Sequence, residues 1–114
     1  MKASVTVKEN GTFHRIYRKG RSAVAPCLVV YCQKNKRGQS RLGVTVSTKL
    51  GGAVIRNRVR RQIREMYRLH KAEMTPGYDV IVVARTRAVH TPYRKMDGQY
   101  VSLLEQLSLK EAAL

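Results

Sequence analysis

The chain has 114 residues, a length that suits one domain built around one modest core. It holds 23 Lys and Arg against seven Asp and Glu, and the formal net charge of +16 indicates a polyphosphate partner. On charge alone, a basic protein that binds a membrane surface is the alternative. The sequence has no long apolar span, lipidation motif or signal-peptide core, which predicts a soluble cytoplasmic protein without membrane partners.

The N-terminal part of the chain predicts an arm and a short helix. Residues 1–9 are basic and without periodic pattern, so we expect a loose arm there. Asn10 is a suitable cap for a helix over residues 11–19, whose apolar face would carry Phe13, Ile16 and Tyr17. On the helix alone, a core position is the simpler interpretation of both aromatic rings.

Alternating patterns predict strands at 27–33 and 41–47, after a short extended piece at 21–25. Neighbouring residues of a strand point to opposite faces, which puts Val29 and Tyr31 on one side of the first strand. The same alternation separates Cys27 from Cys32, so we expect no disulfide between them. We expect the two strands to pair antiparallel. The groove between them would be lined by Val29, Tyr31, Thr45 and Ser47.

The stretch 49–70 carries the clearest pattern in the chain. After two glycines, 18 residues run without Gly or Pro, and most of them favour a helix. At about 100° per residue, one face of this helix is apolar. That face would hold Ile55, Val59, Ile63, Met66 and His70, with Tyr67 at its edge.

The opposite face of the same helix is basic. It would hold Asn57, Arg60, Arg61, Arg64 and Arg68, with Arg56 and Arg58 at its borders. A solvated charged helix is the alternative, but such helices intersperse acids with their bases, and Glu65 is the only acid here. Arginine forms bidentate hydrogen bonds with phosphate oxygens, so this row of arginines predicts a face that binds nucleic acid.

The C-terminal third predicts one strand and one helix. Thr75-Pro76-Gly77 ends the basic helix, and the apolar run at 78–84 is typical of a strand covered on both faces, as in a parallel β-α-β crossover. Thr91-Pro92 indicates a cap and the first turn of the last helix. Its core stripe would be Met96, Tyr100, Leu103, Leu104 and Leu107. The expected fold is one α/β (α+β) two-layer sandwich over residues 1–114, in the order α-β-β-β-α-β-α.

No recognisable catalytic or metal-binding arrangement accompanies this fold. The three histidines and seven acids are scattered, and no nucleophile motif, metal motif or phosphate-binding loop is present. We therefore expect no catalytic and no metal-ligating residues in the protein.

The segment LGVTVSTKLGGAVIRNRVRRQIREMYR closely resembles the RNR-motif region of the bacterial ribonuclease P protein component, with Arg56-Asn57-Arg58 intact. Residues similar to those of family members also occur at 10–13, Tyr17, Gly20, 29–31 and 78–81, so the resemblance covers most of the chain.

The resemblance implies the small subunit of a ribonucleoprotein endonuclease, a hydrolase that removes the 5′ leader of precursor tRNA. In that family the RNA subunit is the catalyst and works with bound Mg²⁺. The implied partners are this RNA subunit and precursor tRNA, with a monomeric protein in a 1:1 complex. The family fold has a left-handed β-α-β crossover, an exception to the usual hand.

Carried over by position, the resemblance assigns two groups of residues. Contacts to the catalytic RNA would come from Lys49, Arg56, Asn57, Arg58, Arg60, Arg61, Arg64 and Arg68. The single-stranded leader would be held by Phe13, Tyr17, Val29, Tyr31 and Thr45. The N-terminal arm is less basic than in some members, which leaves its role open.

Two other classes of RNA-binding protein fit part of the pattern. A ribosomal protein would share the charge and the absence of catalytic motifs. A double-stranded-RNA-binding module would share the start of the element order, although the strand and helix after Gly77 argue against it.

Overall fold

The computed structural model describes residues 10–110, so the predicted arm at 1–9 lies outside the described residues. The predicted order of elements is confirmed. The helices are α1 (Asn10–Lys19), α2 (Ala53–His70) and α3 (Tyr93–Gln106), and the strands are β1 (Arg21–Val24), β2 (Leu28–Lys34), β3 (Arg41–Thr45) and β4 (Tyr78–Ala84). Short 3-10 turns lie at Thr48–Leu50, Lys71–Glu73 and Thr86–His90.

The four strands form one sheet in the order β1-β2-β4-β3. β2 pairs antiparallel with both β1 and β4, whereas β3 pairs parallel with β4. The expectation that β2 and β3 pair with each other was therefore wrong, because β4 lies between them. The physical reason is the composition of β4. Val80, Ile81 and Val82 are fully buried, and the centre of the sheet is where a strand is covered on both of its faces.

One face of the sheet packs against α2 and α3 and holds the main core. The side chains of β2, β4 and β3 that point to this side include Val30, Val82 and Leu42. The predicted apolar stripe of α2 meets them, with Val59, Ile63, Met66 and Tyr67 fully buried. The predicted stripe of α3 is confirmed as well: Met96, Tyr100, Leu103, Leu104 and Leu107 are all buried.

Helix α1 covers part of the opposite face of the sheet. Ile16 is fully buried there, and the Phe13 ring lies on Gly43 of β3. A Cβ atom at position 43 would stand 2.9 Å from Cζ of Phe13, closer than van der Waals contact allows. Glycine at this position therefore lets α1 approach the sheet.

Two smaller expectations have different outcomes. Cys27 and Cys32 are both buried and free, as predicted, and burial raises the pKa of each thiol. Thr91 does not cap α3, because its hydroxyl donates to the carbonyl of Arg87 at 2.7 Å and Pro92 occupies the cap position.

Among residues 10–110, no helix has the length and apolar character needed to cross a membrane.

Candidate RNA interface

Helix α2 presents a continuous basic surface, which we call the arginine face. Asn57, Arg58, Arg61, Arg64 and Arg68 are exposed, and Lys49 is exposed in the turn before the helix. Arg56 and Arg60 are half-buried. The 3.6-residue period thus separates the guanidiniums from the buried stripe as predicted, and the core fixes which side of the helix they occupy.

Some side chains of the arginine face are already engaged within the protein. Arg68 forms an ion pair with Glu65, with 2.5 Å between Nη2 and Oε1, and this hydrogen bond and charge hold the pKa of the Glu65 carboxyl below its usual value. Arg58 donates to the carbonyl of Val89 at 2.9 Å, and Arg60 donates to Asn57 at 3.0 Å. These contacts orient the side chains and leave further N–H groups of each guanidinium for a ligand.

Arg61 and Arg64 are the best-placed cations for an external polyanion. Both are exposed, and neither forms an ion pair within residues 10–110. They lie three positions apart, so they are neighbours on the helix surface. Two like charges this close are mildly destabilising in the free protein, and a bound phosphate would relieve that repulsion.

A second surface lies on the other side of the sheet, where α1 and the strands form an aromatic cleft. It is built from Phe13, Tyr17, Val29, Tyr31 and Thr45, all half-buried. The rings of Tyr17 and Tyr31 meet edge to face with centroids 4.8 Å apart, and those of Phe13 and Tyr17 are 6.1 Å apart. The structure thus brings together all five residues that the resemblance assigned to the leader.

The strand order changes the geometry predicted for this cleft. Val29 and Thr45 are separated by Val83 of β4, and Tyr31 is separated from Gly43 by Ile81. The Tyr17 side chain bridges this distance, since its ring lies on Tyr31 and its hydroxyl is 3.0 Å from the Thr45 hydroxyl. Ser47, expected to line the groove, instead accepts a hydrogen bond from the Lys49 amide at the turn before α2.

Sequence reasoning missed part of the floor of the aromatic cleft, namely Ile81 and Val83 of β4, which lie beside Gly43. The both-sided apolar pattern of residues 78–84 was the available signal that β4 is central. It did not indicate which neighbours β4 has, because strand order depends on contacts far apart in the chain.

The described residues offer no metal centre. Within residues 10–110, no group of three or more His, Cys, Asp or Glu side chains is arranged to hold a metal ion. Three of the acids contact bases: Asp79 pairs with Arg41, Asp97 with His70, and Glu73 with Lys110.

Comparisons with known proteins agree over the whole length of the chain. A family model described as Ribonuclease P matches residues 1–108. The ribonuclease P protein component of Alkaliphilus oremlandii (strain OhILAs) is 36% identical over 114 residues, covering 100% of both chains. That of Natranaerobius thermophilus is 38% identical over 109 residues, covering 96% of this chain and 95% of the other.

Solved structures of proteins with this fold are also similar. The RNase P protein of Staphylococcus aureus superposes with a TM-score of 0.86 at 36% identity, covering 95% of this chain and 99% of the other. The RNase P protein of Thermotoga maritima gives a TM-score of 0.81 at 28% identity, covering 89% and 96%.

Proposed function

The chain belongs to the ribonuclease P protein family, and from this membership we propose that it docks on the RNA subunit of ribonuclease P and holds the 5′ leader of precursor tRNA. Family membership makes it a component of an RNA-processing ribonucleoprotein. The division of labour between its two surfaces is our proposal, as is a 1:1 complex in which the RNA subunit cleaves the phosphodiester bond.

The observation that carries the docking proposal is the arginine face of α2. A folded RNA presents closely spaced phosphates, and a row of guanidiniums on a rigid helix is complementary to them. The helix is held in place by four fully buried side chains, so little freedom is lost when RNA binds. Arg61 and Arg64 supply charge that is not engaged in an ion pair within the described residues.

The aromatic cleft supports the leader proposal. Leaders differ in sequence from one precursor to the next, so a suitable site binds bases without reading their edges. Aromatic rings do this, because every base has a face that stacks, with about 1–3 kcal/mol lost per base when a ring is removed. Tyr31 and Phe13 are only half-buried, which leaves ring surface for a base.

The assignment of catalysis to the RNA subunit extends the same reasoning. We propose that Mg²⁺ is held by the RNA subunit and the substrate, where it would neutralise charge that develops on the phosphate. The residues of this chain contribute by positioning: the arginine face fixes the protein on the RNA, and the aromatic cleft aligns the leader.

Reconstitution tests the proposed function. Precursor tRNA is incubated with Mg²⁺ and the protein alone, the RNA subunit alone, or both together. We expect 5′ cleavage only where the RNA subunit is present, with faster cleavage at low Mg²⁺ when the protein is added. Cleavage by protein free of RNA, or a protein that leaves the rate and affinity of the RNA subunit unchanged, would refute it.

A further inference from the structure

A basic cavity opens at one end of the aromatic cleft. It has a volume of about 500 Å³ and lies where β2 ends, β3 begins and the first turns of α1 pass over the sheet. Its lining includes Arg15, Lys34, Lys36, Arg37 and Arg41. None of these was assigned to a site by the resemblance, and we call this group the basic cavity.

The charge of the basic cavity is not cancelled from within. The nearby carboxylate, Asp79, is 1% exposed and accepts two hydrogen bonds from Arg41, at 2.8 and 2.7 Å. Over residues 10–110, no ion pair involves Lys34, Lys36 or Arg37. Three ammonium or guanidinium groups therefore face a concave space without a carboxylate of their own.

The loop that carries Lys36 and Arg37 is held in place. Its anchor is Asn35, whose amide nitrogen donates to the Asp79 carboxylate at 2.9 Å and to the carbonyl of Gln39 at 3.0 Å. The side-chain Oδ1 of Asn35 accepts from the backbone amide of Arg37 at 3.0 Å, and the Asn35 backbone amide donates to the carbonyl of Gly77 at 2.8 Å. The loop backbone is thus preorganised, which lowers the entropy lost when its side chains bind a ligand.

The position of the basic cavity relates it to the aromatic cleft. Gln33, Asp79 and Arg41 form a row across the sheet, and the next row is Tyr31, Ile81 and Gly43. Adjacent rows on one face are two residues apart, or about 7 Å. The basic cavity therefore continues the cleft along the same face, whereas the arginine face belongs to α2 on the other side of the sheet.

We propose that the basic cavity binds a backbone phosphate of the precursor leader, beyond the bases that stack in the aromatic cleft. This rests on the proposed function and deepens it, because it extends the leader path. A phosphodiester suits the site: it carries one negative charge, its oxygens accept from Lys and Arg, and its position along a strand does not depend on sequence.

The test compares two double variants of the full-length protein assembled with the RNA subunit. Lys36→Ala/Arg37→Ala removes two charges from the basic cavity. Arg94→Ala/Lys95→Ala removes two exposed charges from α3, on the other side of the sheet, and is the matched control. Each holoenzyme is titrated with one tRNA carrying either a long leader or a leader too short to pass the cleft.

We expect the cavity variant to lose about tenfold in affinity for the long-leader precursor and to keep its affinity for the short-leader one. For the long-leader precursor, the slope of log affinity against log salt concentration should be less steep by about one to two, because fewer counterions are released. The control should change both affinities alike. Equal losses on the two precursors, or a loss no larger than that of the control, would overturn the proposal.

Two further arms separate the possible causes. Inorganic phosphate is added to the free protein, and a rise in Tm that only the cavity variant lacks, without any leader-length effect, would assign the cavity to free phosphate and overturn the proposal. Tyr31→Ala is measured in the same titration. If Tyr31→Ala shows no leader dependence while the cavity variant does, leader stacking fails and the phosphate site stands.

Discussion

Asp79 joins three segments that are far apart in the chain. It lies on β4, accepts both hydrogen bonds of the Arg41 guanidinium from β3, and accepts one from Asn35 in the loop after β2. Burial alone would raise the pKa of this carboxyl. The hydrogen bonds from Arg41 and Asn35, with the charges of Arg41 and Arg15, outweigh that effect and hold the pKa below its usual value.

The lowered pKa of Asp79 predicts acid-sensitive stability. Because the folded-state value lies below the unfolded value of about 3.9, the ionised carboxylate stabilises the fold above that pH and the contribution is lost as the pH falls through the folded-state pKa. Asp79→Asn should therefore lower the free energy of unfolding by about 3 kcal/mol at neutral pH, since it leaves Arg41 without its counter-charge.

Denaturant unfolding at pH 7 and at a pH below the folded-state pKa of Asp79 measures this effect. The difference between the parent protein and Asp79→Asn should shrink in acid, because both then carry a neutral side chain at position 79. Glu65→Gln, which removes an exposed carboxylate, is the control and should change stability little at either pH. A difference that is the same at both pH values would show that the charge of Asp79 does not stabilise the fold.

At the scale of single residues, sequence reasoning identified side chains but not their partners. The five cleft residues were assigned by resemblance, and the structure does bring them together. The hydroxyl contact between Tyr17 and Thr45, 28 residues apart, had no local signal. The pairing of Arg41 with Asp79, 38 residues apart, had none either. Such pairs depend on which strands become neighbours.

At the scale of elements, α2 owes its two-sided character to local sequence. Its 18 residues contain no Gly or Pro, and its apolar positions recur with the helical period. Helix and face were therefore predictable from the residues alone. The pairing of β3 was not, because a short alternating strand with Gly43 and Thr45 fits either neighbour, and the long apolar strand β4 takes the central place.

Glu65 limits the charge of the arginine face. Its ion pair with Arg68 neutralises one guanidinium on the helix, so Glu65→Gln should release Arg68 and strengthen docking on the RNA subunit by roughly two- to fivefold at low salt. The measurement is the equilibrium affinity of the protein for the RNA subunit across salt concentrations.

The matched control for this prediction is Glu105→Gln on α3, which makes the same change in net charge away from the arginine face. We expect the effect of Glu65→Gln to exceed that of Glu105→Gln and to diminish as salt rises. Equal effects of the two variants would show that docking responds only to net charge. Weaker docking by Glu65→Gln would show that Arg68 must be held by Glu65 to bind.

At the scale of the whole molecule, the sheet separates two surfaces. The arginine face belongs to the layer of α2 and α3, and the aromatic cleft and basic cavity lie on the α1 side. This arrangement allows the two sides of the molecule to contact two different RNAs. Under the proposed function, the net charge of +16 would attract RNA to the molecule, and the placement of particular side chains would give each side its own ligand.

The most direct test of this division measures two affinities for two variants. Arg61→Ala/Arg64→Ala alters the arginine face, and Tyr31→Ala alters the aromatic cleft. Each protein is titrated with the RNA subunit, and each holoenzyme is titrated with precursor tRNA and with tRNA lacking a leader. Unfolding curves of both variants confirm that they remain folded at the temperature of the assay.

The arginine variant should bind the RNA subunit more weakly, with a salt slope smaller by about two, and should keep the preference of its holoenzyme for leader-bearing tRNA. Tyr31→Ala should bind the RNA subunit normally and lose about 1–3 kcal/mol of binding to leader-bearing tRNA only. If each variant weakens both affinities alike, the two surfaces do not have separate ligands and the account is contradicted.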